Sequence, residues 1–241
     1  MMNEQAPLVA PGPPLTPEER GRYQRQLVLP EIGDLGQRRL ANARVLVVGA
    51  GGLGSPVLTA LAGAGVGTLG IIDDDTVEIS NLHRQTIHAG AAPGSAKVDS
   101  VVRALRELNP LVTVMAFHER FTADAGRELT ARFDLVVDCA DTFATHADVI
   151  GAAERHGVPV VWGSSLGMDG QVTVFDRGSG AVGSVGLDDL YPVLPADQPG
   201  GACQAAGILG PVCGAVGSVM AIEAIKLIVG TGRPLRGRML V

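Results

Sequence analysis

Aromatic residues are scarce in this chain. One Trp, two Tyr and five Phe make up 3% of 241 residues, while hydrophobic types together reach 46%. The core must therefore be built from Val, Leu, Ile and Ala, the side chains that fill parallel sheets covered by helices on both faces. Cysteine is sparse too. Cys139, Cys203 and Cys213 form no Cys-x-x-Cys pair and cannot frame a disulfide-stapled fold, so a reducing compartment is expected. The five histidines show no metal-ligand spacing. Positive charge is in deficit: 19 Lys and Arg against 25 Asp and Glu give a formal net charge of −6. With no basic run and no interleaved aromatics, a nucleic-acid surface is not expected. No uncharged apolar run reaches the roughly 18 residues of a membrane span, and no signal-peptide pattern opens the chain. A soluble, cytoplasmic protein that neither crosses nor binds a membrane is the expectation.

Residues 1–15, rich in proline and small side chains, read as a flexible tail ahead of a single domain over 16–241. Thr16-Pro17-Glu18-Glu19 has a capping-box pattern with proline at the first helical position. The helix it opens carries Arg22 to Gln26 and fades near Pro30. A short helix around 34–41 follows. Strands at 45–48, 70–73, 112–117, 135–139 and 158–162 then alternate with helices at 55–64, 95–108, 123–133 and 142–155. That alternation requires right-handed crossovers and a parallel sheet. Gly170–Asp176 alternates apolar and polar residues and reads as an antiparallel strand with one wetter face. Residues 177–203 read as a long crossover-type loop, and an apolar helix over 215–229 closes the domain. The predicted fold is α/β: Rossmann-like and doubly wound, a mostly parallel sheet with antiparallel C-terminal strands and helices on both faces.

The most informative stretch follows the first strand. Gly49-Ala50-Gly51-Gly52-Leu53-Gly54 satisfies G-x-G-x-x-G between an apolar strand and a helix. Gly49 permits a tight turn, Gly51 and Gly52 let a phosphate approach the backbone, and Gly54 lets the helix pack on the strand. The helix N-terminus then holds the anion. Asp73 closes the next strand 24 residues after Gly49, where a carboxylate accepts ribose hydroxyls. Asp74 and Asp75 read equally as turn caps or ligand contacts.

Such a turn serves dinucleotide enzymes as well, but the second half holds no Tyr-x-x-x-Lys and no paired histidine and acid for hydride transfer. Residues suited to phosphate chemistry lie nearby instead: Asn81 and Arg84, Lys97 at the next helix start, and Asp141 after the fourth strand. Parallel strands deliver their C-terminal ends to one edge, so Asp73, Arg84 and Asp141 converge. Two cations and an amide facing a triphosphate, with an acid for Mg²⁺, make a phosphoryl- or nucleotidyl-transfer site.

Taken in order, RYQRQ, GAGGLGS, Asp73, SNLHRQ, PGSAK, DCADT and AGILGP…AIEAIKL resemble the ThiF/MoeB-type adenylyltransferases, relatives of ubiquitin-activating enzymes. The resemblance covers about residues 18–230. It implies that ATP and the C-terminal Gly-Gly carboxylate of a small ubiquitin-like sulfur carrier react to an acyl-adenylate and pyrophosphate. Sulfur transfer toward thiamin, molybdopterin or related products would follow, with a sulfurtransferase as a further partner. By the same resemblance the glycine turn, Asp73, the segment Ser80-Asn81-Leu82-His83-Arg84, Lys97, Asp141 and Thr142 would bind ATP. Asp141 would hold Mg²⁺, and Arg25 would reach into the partner subunit's site of a homodimer. Bland readings stand beside these: a solvated Arg25, a surface Lys97, and Asp141 as a helix cap.

The chain also departs from the resemblance. Relatives often carry Cys-x-x-Cys where this chain reads Gly186 to Pro192, so no structural zinc is expected. Thr142 stands where many relatives have Asn, and a hydroxyl cannot repeat an amide's two-ended contact. Cys203 occupies the place of a cysteine that links covalently to the carrier in ThiF-like members, and reads equally as a small buried residue. Cys139 and Cys213 read as packing residues. Two other classes remain open: a non-catalytic carrier-binding scaffold of the same fold, and an NAD- or FAD-dependent oxidoreductase resting on the glycine turn alone.

Overall fold

The computed structural model describes residues 6–180, 184–196 and 207–241. In chain order the elements are α1 (Pro17–Arg22), α2 (Gln24–Leu27), α3 (Gly33–Asn42), β1 (Arg44–Val48), α4 (Gly54–Ala64) and β2 (Thr68–Ile72). Two 3₁₀ turns follow at Ile79–Asn81 and Thr86–His88. Then come α5 (Lys97–Leu108), β3 (Thr113–Phe117), α6 (Ala123–Thr130), β4 (Leu135–Asp138), α7 (Phe143–Glu154), β5 (Val160–Leu166), β6 (Asp169–Phe175), α8 (Leu187–Leu190) and α9 (Gly210–Val229).

One sheet runs β3-β2-β1-β4-β5-β6, parallel except for the antiparallel β5–β6 pair. The first three strands step outward from β1, and β4 returns to its other side. This reversal opens a crevice at the strands' C-terminal ends. Register puts Val48 beside both Ile72 and Asp138, so the residues after β1, β2 and β4 arrive at one level.

Successive strand side chains point to opposite faces, and β1 shows the result. Val45 and Val47 pack with α4, α5 and α9, whereas Leu46 and Val48 pack with α6 and α7. The first face is aliphatic, as expected. The few aromatics gather on the second, around the fully buried Trp162 with Phe121, Phe133 and Phe175.

Three features differ from the sequence reading. Residues 6–15 are docked rather than a flexible tail. Leu8 N–H donates to Leu227 O at 3.0 Å, Arg38 donates to Gly12 O at 2.7 Å, and Val9 and Leu15 are buried. Two well-placed aliphatic side chains are enough to seat a segment whose composition looks unstructured. The N-terminal helix also breaks at Tyr23, because its ring turns under Gly65 and its hydroxyl accepts from Asn109 Nδ2 at 2.9 Å. Finally, α9 begins at Gly210, five residues before the expected start, with Pro211 in its first turn where a missing N–H costs nothing.

By length and composition α9 is apolar enough to cross a membrane. It lies against α4, β5 and β6, and its buried Glu223 accepts from Lys226 at 2.6 Å and from the Leu235 amide at 2.8 Å.

Candidate nucleotide site

The glycine turn leaves β1 at Gly49, whose φ of +92° suits glycine alone; a Cβ there would meet Cys139 O at 2.7 Å. A Cβ on Gly54 would strike Gly49 O at 2.1 Å, so this glycine serves helix-on-strand packing. At Gly52 a Cβ would stand 2.9 Å from Cys213 Sγ and 3.4 Å from Arg84 Cδ. The turn is braced at Ala50, whose N–H donates to Asp73 Oδ2 at 2.7 Å while the other Asp73 oxygen accepts the Asp75 amide at 2.8 Å. In the first turn of α4 the Ser55 N–H already donates to Gly51 O at 3.0 Å and Pro56 has no N–H, while the helix dipole makes that end positive.

A cavity of about 350 Å³ opens over this turn. Its wall brings together Gly49, Gly51, Gly52, Asp73, Arg84, Lys97 and Asp141, drawn from five separate stretches of the chain. Arg84 is locked from behind: Nη2 donates to Asn81 Oδ1 at 3.1 Å, and Nη1 to Ser80 O at 3.3 Å and His83 Nε2 at 3.0 Å. A guanidinium only donates, so His83 accepts through Nε2. Ser80, Asn81, Leu82 and His83 are therefore not in the cavity wall; three of them hold the arginine that is. Lys97 opens α5 with its ammonium 2.6 Å from Asp75 Oδ2, the lysine buried and the aspartate 66% exposed. Thr142 caps α7, its hydroxyl accepting the Thr145 amide at 3.2 Å, and does not line the cavity.

Arg25 lies elsewhere. Its neighbour Gln26 donates to Ala64 O and to Gln37, at the far end of α4 from the glycine turn. An 11-residue helix puts roughly 16 Å between those ends. Cys203 lies outside the described residues. Cys139 is buried and its thiol pKa is raised by burial and the Asp138 charge. Cys213, read from sequence as packing, is buried yet lines the cavity; burial raises its pKa while Ser165 and Arg84 pull it down.

Sequence reasoning missed several side chains here. Gln85 is 4% exposed, lines the cavity beside Gly51, and has a buried Oε1 with no hydrogen-bond partner. His146, one side of a T-shaped stack on Trp162, lies 2.8 Å from Asp138 Oδ2, whose other oxygen accepts the Ala140 amide at 3.1 Å. That pair fixes the backbone just before Asp141. His88 sits beneath the turn. No local pattern marks these residues, because each meets the site only through folding.

The charge inventory bears on metal binding. Arg84 and Lys97 face the carboxylates of Asp73, Asp75, Asp141 and Asp169 within the cavity. Polyphosphate entering such a wall needs a further cation, and carboxylate oxygens suit Mg²⁺. Asp73, Asp74 and Asp75 bring oxygens within 4.8 Å of one another. Asp73 accepts two amides and Asp75 pairs with Lys97, and Asp141 lines the same cavity.

The cavity continues along Ser164, Ser165 and Leu166 at the end of β5 and Asp169, Gly170 and Gln171 at the start of β6. Tyr191, stacked edge-on against Phe143, closes its rim.

A protein-family model described as the ThiF family matches residues 23–241. This chain belongs to the ThiF family. It is 46% identical, over 98% of its length, to the probable adenylyltransferase/sulfurtransferase MoeZ of Mycobacterium tuberculosis, and covers 60% of that protein. It is 43% identical over 94% of its length to the sulfur carrier protein adenylyltransferase of Thermus thermophilus, of which it covers 84%. The adenylyltransferase and sulfurtransferase MOCS3 of Dictyostelium discoideum is 41% identical, and the chain covers 53% of it. The chain therefore spans 60% of MoeZ and about half of MOCS3. Among solved structures, Escherichia coli MccB with ATP superposes at a TM-score of 0.75 with 21% identity, covering 92% of this chain and 68% of that one. Escherichia coli TcdA superposes at 0.70 with 22% identity, covering 87% and 94%. At such identities these ThiF-like neighbours speak for the fold alone.

Proposed function

We propose that this ThiF-family chain adenylylates the C-terminal glycine carboxylate of a ubiquitin-like sulfur carrier, using ATP and Mg²⁺. One observation carries the reading: the glycine turn, Arg84, Lys97 and Asp141 share one cavity, which the end of β5 and the start of β6 also line. A pure dinucleotide holder does not need the two cations.

In this reading a carrier carboxylate oxygen attacks the α-phosphorus of ATP. The bond from that phosphorus to the bridging oxygen of the β-phosphate breaks, and pyrophosphate leaves with the electron pair. The product is an acyl-adenylate, and no proton needs to move. The catalyst's task is alignment and charge cancellation. The amides of the glycine turn donate to phosphate oxygens, the positive end of α4 adds its dipole, and Asp73 stands where ribose hydroxyls come. Arg84 and Lys97 draw negative charge as it shifts toward the leaving group. Mg²⁺, held by Asp141, would neutralise phosphate charge and help orient the leaving group. The Asp138–His146 pair keeps Asp141 aimed.

The adenylate then serves a sulfurtransferase for products of the thiamin or molybdopterin type. We place the enzyme in the cytoplasm as a homodimer, where Arg25 of one subunit reaches the cavity of the other.

Carrier-dependent exchange of labelled pyrophosphate into ATP tests the proposal. Wild type should exchange only with a Gly-Gly-ended carrier, and Asp141→Ala should abolish exchange while keeping carrier binding. Carrier binding without any exchange in wild type would identify a scaffold instead.

A further inference from the structure

We propose that His88 is a positioning residue for the phosphate-binding turn, holding the Ala50 carbonyl so that the next amide, that of Gly51, is aimed into the cavity. The inference rests on the nucleotide reading of that cavity.

His88 is fully buried, in the 3₁₀ turn Thr86–His88. Its Nε2 lies 2.9 Å from Ala50 O and its Nδ1 3.0 Å from Ser100 Oγ. A carbonyl oxygen only accepts, so Nε2 carries the hydrogen; Nδ1 then takes the Ser100 hydroxyl hydrogen, and the ring is neutral. The charges around it agree. Burial lowers the His88 pKa, the Lys97 ammonium lowers it further, and the Ala50 contact and Asp73 oppose the change only in part.

The consequence follows from peptide geometry. In a planar trans peptide the carbonyl of one residue and the N–H of the next point in opposite directions. Drawing Ala50 O down onto His88 therefore turns the Gly51 N–H the other way, and Gly51 lines the cavity. Asp73 grips the preceding peptide unit through Ala50 N–H. Two consecutive peptide planes of the turn are thus set by side chains rather than by the helix or the sheet. The imidazole's other end fixes the turn to Ser100, one turn along α5 from Lys97. The donor amide and the phosphate-binding ammonium are therefore held at a constant separation. Arg84 beside Gly52 and Gln85 beside Gly51 complete the support.

The test compares two amides in the full-length enzyme with its carrier. A glutamine side chain can put its N–H where Nε2 stood; an asparagine, one methylene shorter, cannot reach Ala50. His88→Asn should raise the KM for ATP about tenfold with kcat within about threefold, because a donor used equally by bound ATP and the transition state is lost. His88→Gln should recover a KM within about threefold of wild type. A purely structural role would lower the melting temperature of both and move KM in neither. Equal KM values for wild type and His88→Asn, with wild type stabilised by ATP in a thermal melt, would overturn the positioning role and leave the nucleotide reading intact. No stabilisation of wild type by ATP would overturn both. Should His88→Asn fail to fold, Ser100→Ala frees the far end of the imidazole; it should raise KM about threefold, and an unchanged KM would overturn the role.

Discussion

Gly52 has two separate reasons to be bare. A phosphate needs the backbone open at that point, and a Cβ would crowd the buried Cys213 Sγ at 2.9 Å. Its φ is not in the left-handed region, so alanine strains no dihedral there. Gly52→Ala should therefore fold with a modest loss of melting temperature as Cys213 gives way, while obstructing the phosphate's approach to the backbone and costing about 10²-fold in kcat/KM for ATP. Lys97 permits a similar separation. Its partner Asp75 is mostly exposed, so removing the ammonium strands no buried charge. Lys97→Met should lower exchange by about 10²–10³-fold and leave the melting temperature within a few degrees. A large loss of stability together with intact activity would reverse the assignment. At this scale legibility depends on where a residue sits. Gly49, Asp73, Lys97 and Asp141 could be read because each falls at a strand end or helix start, positions that topology sends to one edge. Gln85, His88 and His146 could not, because their partners Gly51, Ala50 and Asp138 are remote in sequence or hidden by local patterns that read as helix and turn.

Among elements, the antiparallel β5–β6 pair lines the cavity, and the short α8 leads into Tyr191, which lines it too. Arg177, just past β6, pairs with Asp188 and Asp189 of α8, and Asp189 also accepts the Gly186 amide at 2.9 Å. Glu154, the last residue of α7, faces this clamp. Burial raises its pKa, Arg177 lowers it, and Asp188 and Asp189 raise it again. The folded chain thus holds the Glu154 proton more tightly than the unfolded chain does. The associated stability is present below the ordinary glutamate value and is lost as pH rises through the raised one. Glu154→Gln is neutral at every pH. Its melting temperature should exceed that of wild type near neutrality, and the two should converge once the pH drops below the ordinary glutamate range. A gap that stays constant with pH would count against burial as the cause. Element boundaries were readable where hydrophobic period and cap agreed, as at the Thr16 capping box. They failed where tertiary contacts intervened: Tyr23, drawn under Gly65, divides one expected helix into two, and Gly210-Pro211 reads as a break although proline is accommodated in a first turn.

The whole molecule raises a question that its parts do not. The doubly wound order, with its crevice between β1 and β4, was legible from the alternation of strands and helices; the docking of residues 6–15 was not, since it depends on Val9 and Leu15 finding a surface made by distant helices. Arg25 belongs to that N-terminal half, at the end of α4 opposite the glycine turn, and cannot serve the cavity of its own chain across roughly 16 Å of helix. If it acts in catalysis, it acts on another copy. The exposed side of α9 offers a route to one, carrying Pro211, Ala215, Ser218 and Ile222 at helical spacing without a charge, with Ile222 51% exposed. If Arg25 of one subunit reaches the cavity of the other in a C2 dimer, each site is assembled from two subunits. Complementation then has a definite arithmetic. Arg25→Ala and Asp141→Ala should each be inactive alone. Co-expressed with different tags, half the dimers are mixed and each contains one site with both residues intact, so the mixture should recover about a quarter of wild-type exchange. Purifying the doubly tagged dimer should raise that to about half. If the mixed dimer stays inactive although both tags are present, the arginine does not act across the interface.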